Sequence, residues 1–255
     1  ALADESFVFE NAYVAQPVCT PARSTMLTGL YPHTTGQIRN GIPMRPDTQS
    51  IAEMLSGNYR AAYFGKWHLG DDNSPQHGFS EWLPVGKGDD DADISPSYQK
   101  FLKDAGAGLP PLVVRPGGDG AGSKRAVAQA NLPEDLTQAA WVAGEASEFL
   151  RTHETGPFTL FVNFFEPHPP YSGPLGDTYD PEEIPVGPAF LKHPEGASLF
   201  NRSRSEFYLA GDHREDSVGG CDGHDLHTPL GWRSLRAQYM ANITLVDRQI
   251  ARMLA

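Results

Sequence analysis

The chain has 255 residues, 39% of them hydrophobic, and a formal net charge of −12 at pH 7. That length holds one large domain or two small ones with a substantial core, and no run approaches the roughly 18 consecutive apolar residues that a membrane helix needs. The acidic balance disfavours nonspecific nucleic-acid binding, which rests on clustered Lys and Arg, although a basic pocket can sit inside an acidic shell.

The opening, ALADESFVFENAYV, has neither an initiator Met nor a targeting pattern. It reads as the end of a helix running into a strand over 7–14, as expected of a chain that starts inside a longer protein. A short helix over Ser24–Leu30 follows Pro21 and is closed by Gly29 and Pro32. Residues 47–58 predict a helix with Asp47 or Thr48 as its cap and Gly57 at its end, and 60–65 a buried strand. Gly, Pro and Asp dominate 84–126, a surface insertion with a short helix near Ser97–Ala105; the Asp run at 89–93 reads as a solvated loop. An amphipathic helix over Glu134–Arg151 leads into a continuous apolar strand, Phe158–Phe165, which stops at a Pro-rich loop. Residues 172–230 are irregular and too long for a plain connection. A last helix spans Trp232–Ala255, with apolar residues at helical spacing from Leu235 to Met253. No internal repeat or low-complexity linker divides the chain, so it reads as one α/β domain with loop insertions and a site along one sheet edge.

Three stretches carry chemistry. In PVCTPARSTMLTG, Cys19 stands between Pro17 and Pro21 at the mouth of a helix whose first turn includes Arg23. A helix N-terminus and a guanidinium both favour an anion, and a reactive group that attacks one, while an inert buried cysteine is the plainer alternative. In GKWHLG, Lys66 and His68 are two apart after a strand; an extended backbone would present a cation and a titratable base on one face, and a turn with a solvated lysine is the rival. His168 in EPHPPY is held by prolines at the end of another apolar strand, where a loop histidine can also be structural. Cys19 and Cys221 allow one disulfide at most, and no paired C-x-x-C spacing marks a zinc site.

Together these stretches resemble the type I, formylglycine-dependent sulfatase family. PVCTPARSTMLTG has the form of its Cys-x-Pro-x-Arg signature, GKWHLG resembles its second signature, and NFFEPHPPY and YMANITLVDRQIARML follow in the expected order over nearly the whole chain. The resemblance implies a three-layer alkaline-phosphatase-like domain with a central, mostly parallel sheet over residues 1–255. It implies that a maturation enzyme reads Cys19, Pro21 and Arg23 and oxidises Cys19 to formylglycine. The hydrated aldehyde would attack sulfur with one oxygen, and loss of the second oxygen's proton would then eliminate sulfate. By the same resemblance Arg23 holds the formylglycine, Lys66 bridges diol and sulfate, His68 takes the elimination proton, and His168 contacts sulfate and protonates the leaving oxygen.

A divalent cation, usually Ca2+, is implied as well, with residue 19 a ligand through its formylglycine oxygen. The carboxylate ligands would fall upstream of Ala1 and downstream of Ala255. The expectation is therefore an internal piece of a catalytic domain, truncated at both ends, with little hydrolysis by these residues alone. The substrate would be a small-molecule or glycan sulfate ester, and family habit suggests a periplasmic, lysosomal or secreted setting. Two alternatives stay open: a phosphonate or phosphodiester hydrolase with the same chemistry, and a non-catalytic sulfatase-like binding module. His224, Asp225 and His227 gather beside Cys221 without regular metal spacing, and read as a substrate-side loop. Nothing is drawn from the acceptor-like Asn201-Arg202-Ser203 and Asn242-Ile243-Thr244.

Overall fold

The first helix, α1 (Cys19–Thr28), starts at Cys19 and not at Ser24. Pro21 does not delay it, because the N–H groups of a first turn have no intrahelical partner and proline loses nothing there. Gly29 closes α1 in the left-handed conformation, φ +70°, with its N–H on Thr25 O. The structure, a computed structural model, describes residues 2–86, 94–109, 112–115, 124–127, 132–153, 155–210 and 224–255. The Asp run at 89–93 and Cys221 lie outside these residues.

The expected strand over 7–14 does not form. Its backbone is irregular and its large side chains face solvent, Phe7 at 84% and Tyr13 at 91% exposure, with no partner strand among the described residues. A short helix, α2 (Pro32–Thr35), follows α1. The helix expected over 47–58 shrinks to a single turn, α3 (Ile51–Met54). Its cap is Ser50, which forms a capping box with Glu53, and not Asp47 or Thr48.

β1 (Arg60–Gly65) is buried over Ala61–Gly65, which is why it reads as an unbroken apolar run. β2 is the short Glu81–Leu83. Within the insertion, α4 (Pro96–Asp104) forms where a helix was expected, capped by Ser95. β3 (Leu112–Arg115) and β4 (Lys124–Val127) pair antiparallel, which composition did not suggest. α5 (Gln138–Thr152) is capped by Thr137 and preceded by a short turn of 3-10 helix over Glu134–Leu136. β5 (Phe158–Asn163) ends two residues earlier than expected. The long stretch after it contains α6 (Leu199–Ala210), and the last helix, α7 (Pro229–Leu254), starts at a Pro behind the cap Thr228.

The sheet order is β2-β1-β5. β1 and β5 run parallel: the Arg60 N–H donates to Pro157 O and the Lys66 N–H to Asn163 O, so the bonds advance together along both strands. Parallel strands need a crossover, and α5 lies on it. The chain is thus α/β with a small parallel sheet, as expected.

Two compact units share the chain. The first comprises Ala1–Tyr63, Trp67–Trp82 and Gly156–Thr159, the second the remainder. In the first, the buried Tyr63 and Trp67 meet Phe79 and Trp82, with Tyr63 stacked on Trp82 at 5.1 Å and set edge-on to Trp67 at 4.9 Å. In the second, α5 packs on α7 and α4, with buried Ala139, Ala140, Ala143 and Ala146 on α5 and Ala237 and Ala241 on α7. Arg248 and Gln249 of α7 both reach Glu134, ahead of α5.

Candidate active site

Cys19 is a free, half-buried cysteine at the first position of α1. The peptide N–H of Thr20 is taken by Asn40 Oδ1 at 2.9 Å, that of Ala22 by Val18 O, and Pro21 has none. The helix therefore offers the field of its dipole and the nearby Arg23, not an open cradle of N–H groups. One turn on, the buried Ser24 hydroxyl lies 3.0 Å from both Thr35 Oγ1 and Gln37 Oε1, and Gln37 donates to Pro43 O. This network fixes the helix that carries Cys19.

Arg23 Nη1 lies 3.4 Å from the Tyr63 hydroxyl. Burial pushes the Tyr63 phenol up from 10.0 to about 12, against the opposing pull of Arg23. A folded-state value above the unfolded one gives stability that is fully present below the unfolded value and lost as pH rises through the folded one. The stability of the first unit is expected to decline between pH 10.0 and about 12 on this account, and Tyr63→Phe to remove that part of the decline. Denaturation midpoints of both proteins across this range check it; parallel curves would refute the assignment.

The GKWHLG segment does not stay extended. Gly65 has φ +110°, and a Cβ there would stand 1.9 Å from Asn163 O, so only glycine fits where β1 meets β5. Beyond it, Trp67 and Leu69 are each 1% exposed while Lys66 and His68 are half-buried. His68 itself adopts φ +60°, a left-handed conformation rare for a residue with a Cβ. Its N–H donates to Asp72 Oδ1 at 2.8 Å and its carbonyl accepts the Thr20 hydroxyl at 2.8 Å.

Cys19, Arg23 and His68 belong to the first unit, Lys66 and His168 to the second. In the second unit both predicted residues flank one ring: Lys66 Nζ is 4.8 Å from the centroid of Phe165, and the His168 ring is 4.8 Å from the same ring. The His168 N–H donates to Phe165 O, and its Nδ1 lies 2.8 Å from Pro169 O. A carbonyl only accepts, so Nδ1 carries the proton in this contact. The peptide bonds before Pro167 and Pro170 are cis. Downstream, Asn242 of α7 is buried and donates to Tyr171 O, which removes it as a glycosylation acceptor.

Among the described residues, no three His, Cys, Asp or Glu side chains gather as metal ligands, and Cys19 belongs to no such set. His224, Asp225 and His227 form none either, although His227 faces Asp225 at 3.5 Å. The described residues do not by themselves make up the implied Ca2+ site. Among the described residues, no helix is long and apolar enough to cross a membrane. Sequence reasoning missed Thr20, Asn40, Tyr63 and Asp72, which act on backbone or on another side chain and leave no motif of their own.

The family model described as Sulfatase matches residues 1–255. The chain belongs to the sulfatase family. It is 25% identical over 278 aligned positions to an arylsulfatase of Clostridium perfringens strain 13, covering 99% of this chain and 52% of that protein. To the uncharacterized sulfatase YidJ of Escherichia coli K12 it is 28% identical over 178 residues, 69% of this chain and 34% of that one. This sulfatase chain thus spans about half or less of these relatives. Among solved structures it resembles the phosphonate monoester hydrolase SpPMH from Silicibacter pomeroyi, with a TM-score of 0.61 and 24% identity over 92% of this chain and 49% of that one, a likeness of fold.

Proposed function

We propose that the protein hydrolyses a sulfate ester, with residues 1–255 forming part of its catalytic domain and Cys19 the precursor of its nucleophile. The observation that carries this reading is Cys19 itself, a cysteine outside any disulfide that opens α1 in a Cys-x-Pro-x-Arg sequence, within a chain matched throughout by the sulfatase model. Oxidised to formylglycine, residue 19 supplies a hydrated aldehyde that attacks sulfur and afterwards releases sulfate without a separate ester hydrolysis. The chain's own residues do the rest. Arg23, braced by Tyr63, offsets negative charge beside residue 19; Lys66 places its ammonium on a sulfate oxygen. His68 accepts the proton in the release step, and His168, with Nδ1 on Pro169 O, gives a proton through Nε2 to the leaving alcohol.

The substrate class is a small-molecule or glycan sulfate ester, and a maturation enzyme is the required partner. The implied Ca2+ belongs to this reading as well, with its ligands not gathered among the described residues. The mass of the proteolytic peptide containing Cys19, from protein made in its native host, tests the proposal: an aldehyde is expected, and a free thiol would overturn it in favour of a binding module. The phosphonate monoester hydrolase fold likeness favours one second reading, a phosphonate or phosphodiester hydrolase using the same group. The ratio of kcat/KM for 4-nitrophenyl sulfate and phenyl phosphonate esters separates the two.

A further inference from the structure

We propose that Thr20 and Asp72 are positioning residues that clamp His68 by its backbone and so aim the imidazole. The proposal rests on the reading of His68 as the proton acceptor. A left-handed φ of +60° is unfavourable for histidine and persists where surrounding groups over-determine it. Both peptide groups of His68 are held by side chains from elsewhere, the N–H by Asp72 Oδ1 and the carbonyl by Thr20 Oγ1, each at 2.8 Å. Neither bond involves the imidazole, so the clamp acts only on where the ring starts.

The two ends differ in character. Thr20 is fully buried, follows Cys19 directly, and has its own N–H on Asn40 Oδ1 at 2.9 Å. The carbonyl of the base is thereby tied to the helix that carries the nucleophile position. Asp72 closes the other side with a carboxyl oxygen as acceptor at 2.8 Å. Trp67 and Leu69, both buried, anchor the residues on either side. The loop has its strained residue at the apex and a fixed point on each flank.

The test uses the complete native polypeptide from its host, with the mass of residue 19 confirmed in every variant because Thr20 lies inside the maturation motif. Asp72→Ala is expected to lower kcat about 10²-fold, the scale of a misplacement of about 1 Å, with KM little changed. Asp72→Asn keeps an acceptor oxygen and recovers most of the loss; Thr20→Ser likewise recovers what Thr20→Val loses. In 15N-histidine NMR, the His68 ring signals, assigned by their absence in His68→Gln, shift in Asp72→Ala and Thr20→Val and stay in place in the conservative variants. Wild-type kcat in a folded Asp72→Ala, or equal damage in the conservative variants, or unmoved ring signals, would overturn the clamp. Where Asp72→Ala does not fold, the Thr20 pair decides by the same readouts. An unmodified residue 19 in the wild type defeats the sulfatase reading instead, and the NMR comparison still judges the clamp.

Discussion

Cys19→Ala is expected to end the proposed sulfate ester hydrolysis, with a fall in kcat of at least about 10⁴-fold, the scale on which removal of a covalent nucleophile is felt. Alanine fits the position sterically, since Cys19 is the first residue of α1 and its side chain is only half-buried. The bonds that fix the helix, from Asn40 to Thr20 and from Ser24 to Thr35 and Gln37, do not use the side chain at 19. The unfolding midpoint is therefore expected to stay within the few tenths of a kcal/mol typical of a surface change, about 0.5 kcal/mol. Initial rates with an aryl sulfate and a denaturant titration check the two halves. Residual turnover within tenfold of wild type would remove residue 19 from the chemistry, whatever the state of the protein's other residues.

Gly65→Ala carries the largest expected cost in stability, at least about 3 kcal/mol. Two penalties combine. The φ of +110° is hostile to any side chain, and the new Cβ would stand 1.9 Å from Asn163 O and 2.6 Å from Asn163 C. The obstacle cannot step aside cheaply, because the Lys66 N–H already donates to that same oxygen at 3.0 Å, at the end of the parallel pairing. Gly29→Ala is the control: φ is +70° there but nothing lies within 4 Å of the new atom, so its cost stays at about 1 kcal/mol. Urea titrations of the two variants give the comparison. A Gly65→Ala protein as stable as Gly29→Ala would show that β1 and β5 are not packed as described.

Where local chemistry and tertiary demand agree, the sequence is readable. The apolar runs of β1 and β5 and the spacing of α7 were all visible in advance. β1 lies between β2 and β5 and is buried over Ala61–Gly65, which leaves no room there for a polar residue, and a long helix repeats its pattern often enough to be unmistakable. The strand expected at 7–14 failed for the complementary reason. Its alternation of Phe7 and Phe9 is a local signal, whereas a strand needs a neighbour to satisfy its peptide groups, and none lies among the described residues. At 47–58 Asp47 and Thr48 are the first capping residue types in the chain, yet Ser50 and Glu53 carry the spacing of the capping box. The candidate site divides the same way. Cys19, Arg23, Lys66, His68 and His168 are legible as candidates because they stand in recognisable stretches. Thr20, Asn40, Tyr63 and Asp72 are not, because their partners are backbone atoms or side chains far away in the chain, and contacts of that kind have no periodicity to betray them.

The left-handed loop at His68 also bears on how such a protein can diverge. Its shape is inherited from Thr20 and Asp72 through peptide atoms that every amino acid except proline possesses. Position 68 is thus free to change its chemistry while the loop keeps its form, and asparagine, which tolerates that conformation well, is the cheapest exchange. A lineage that exchanged the histidine would keep the loop's form, since neither clamping bond uses the side chain at 68.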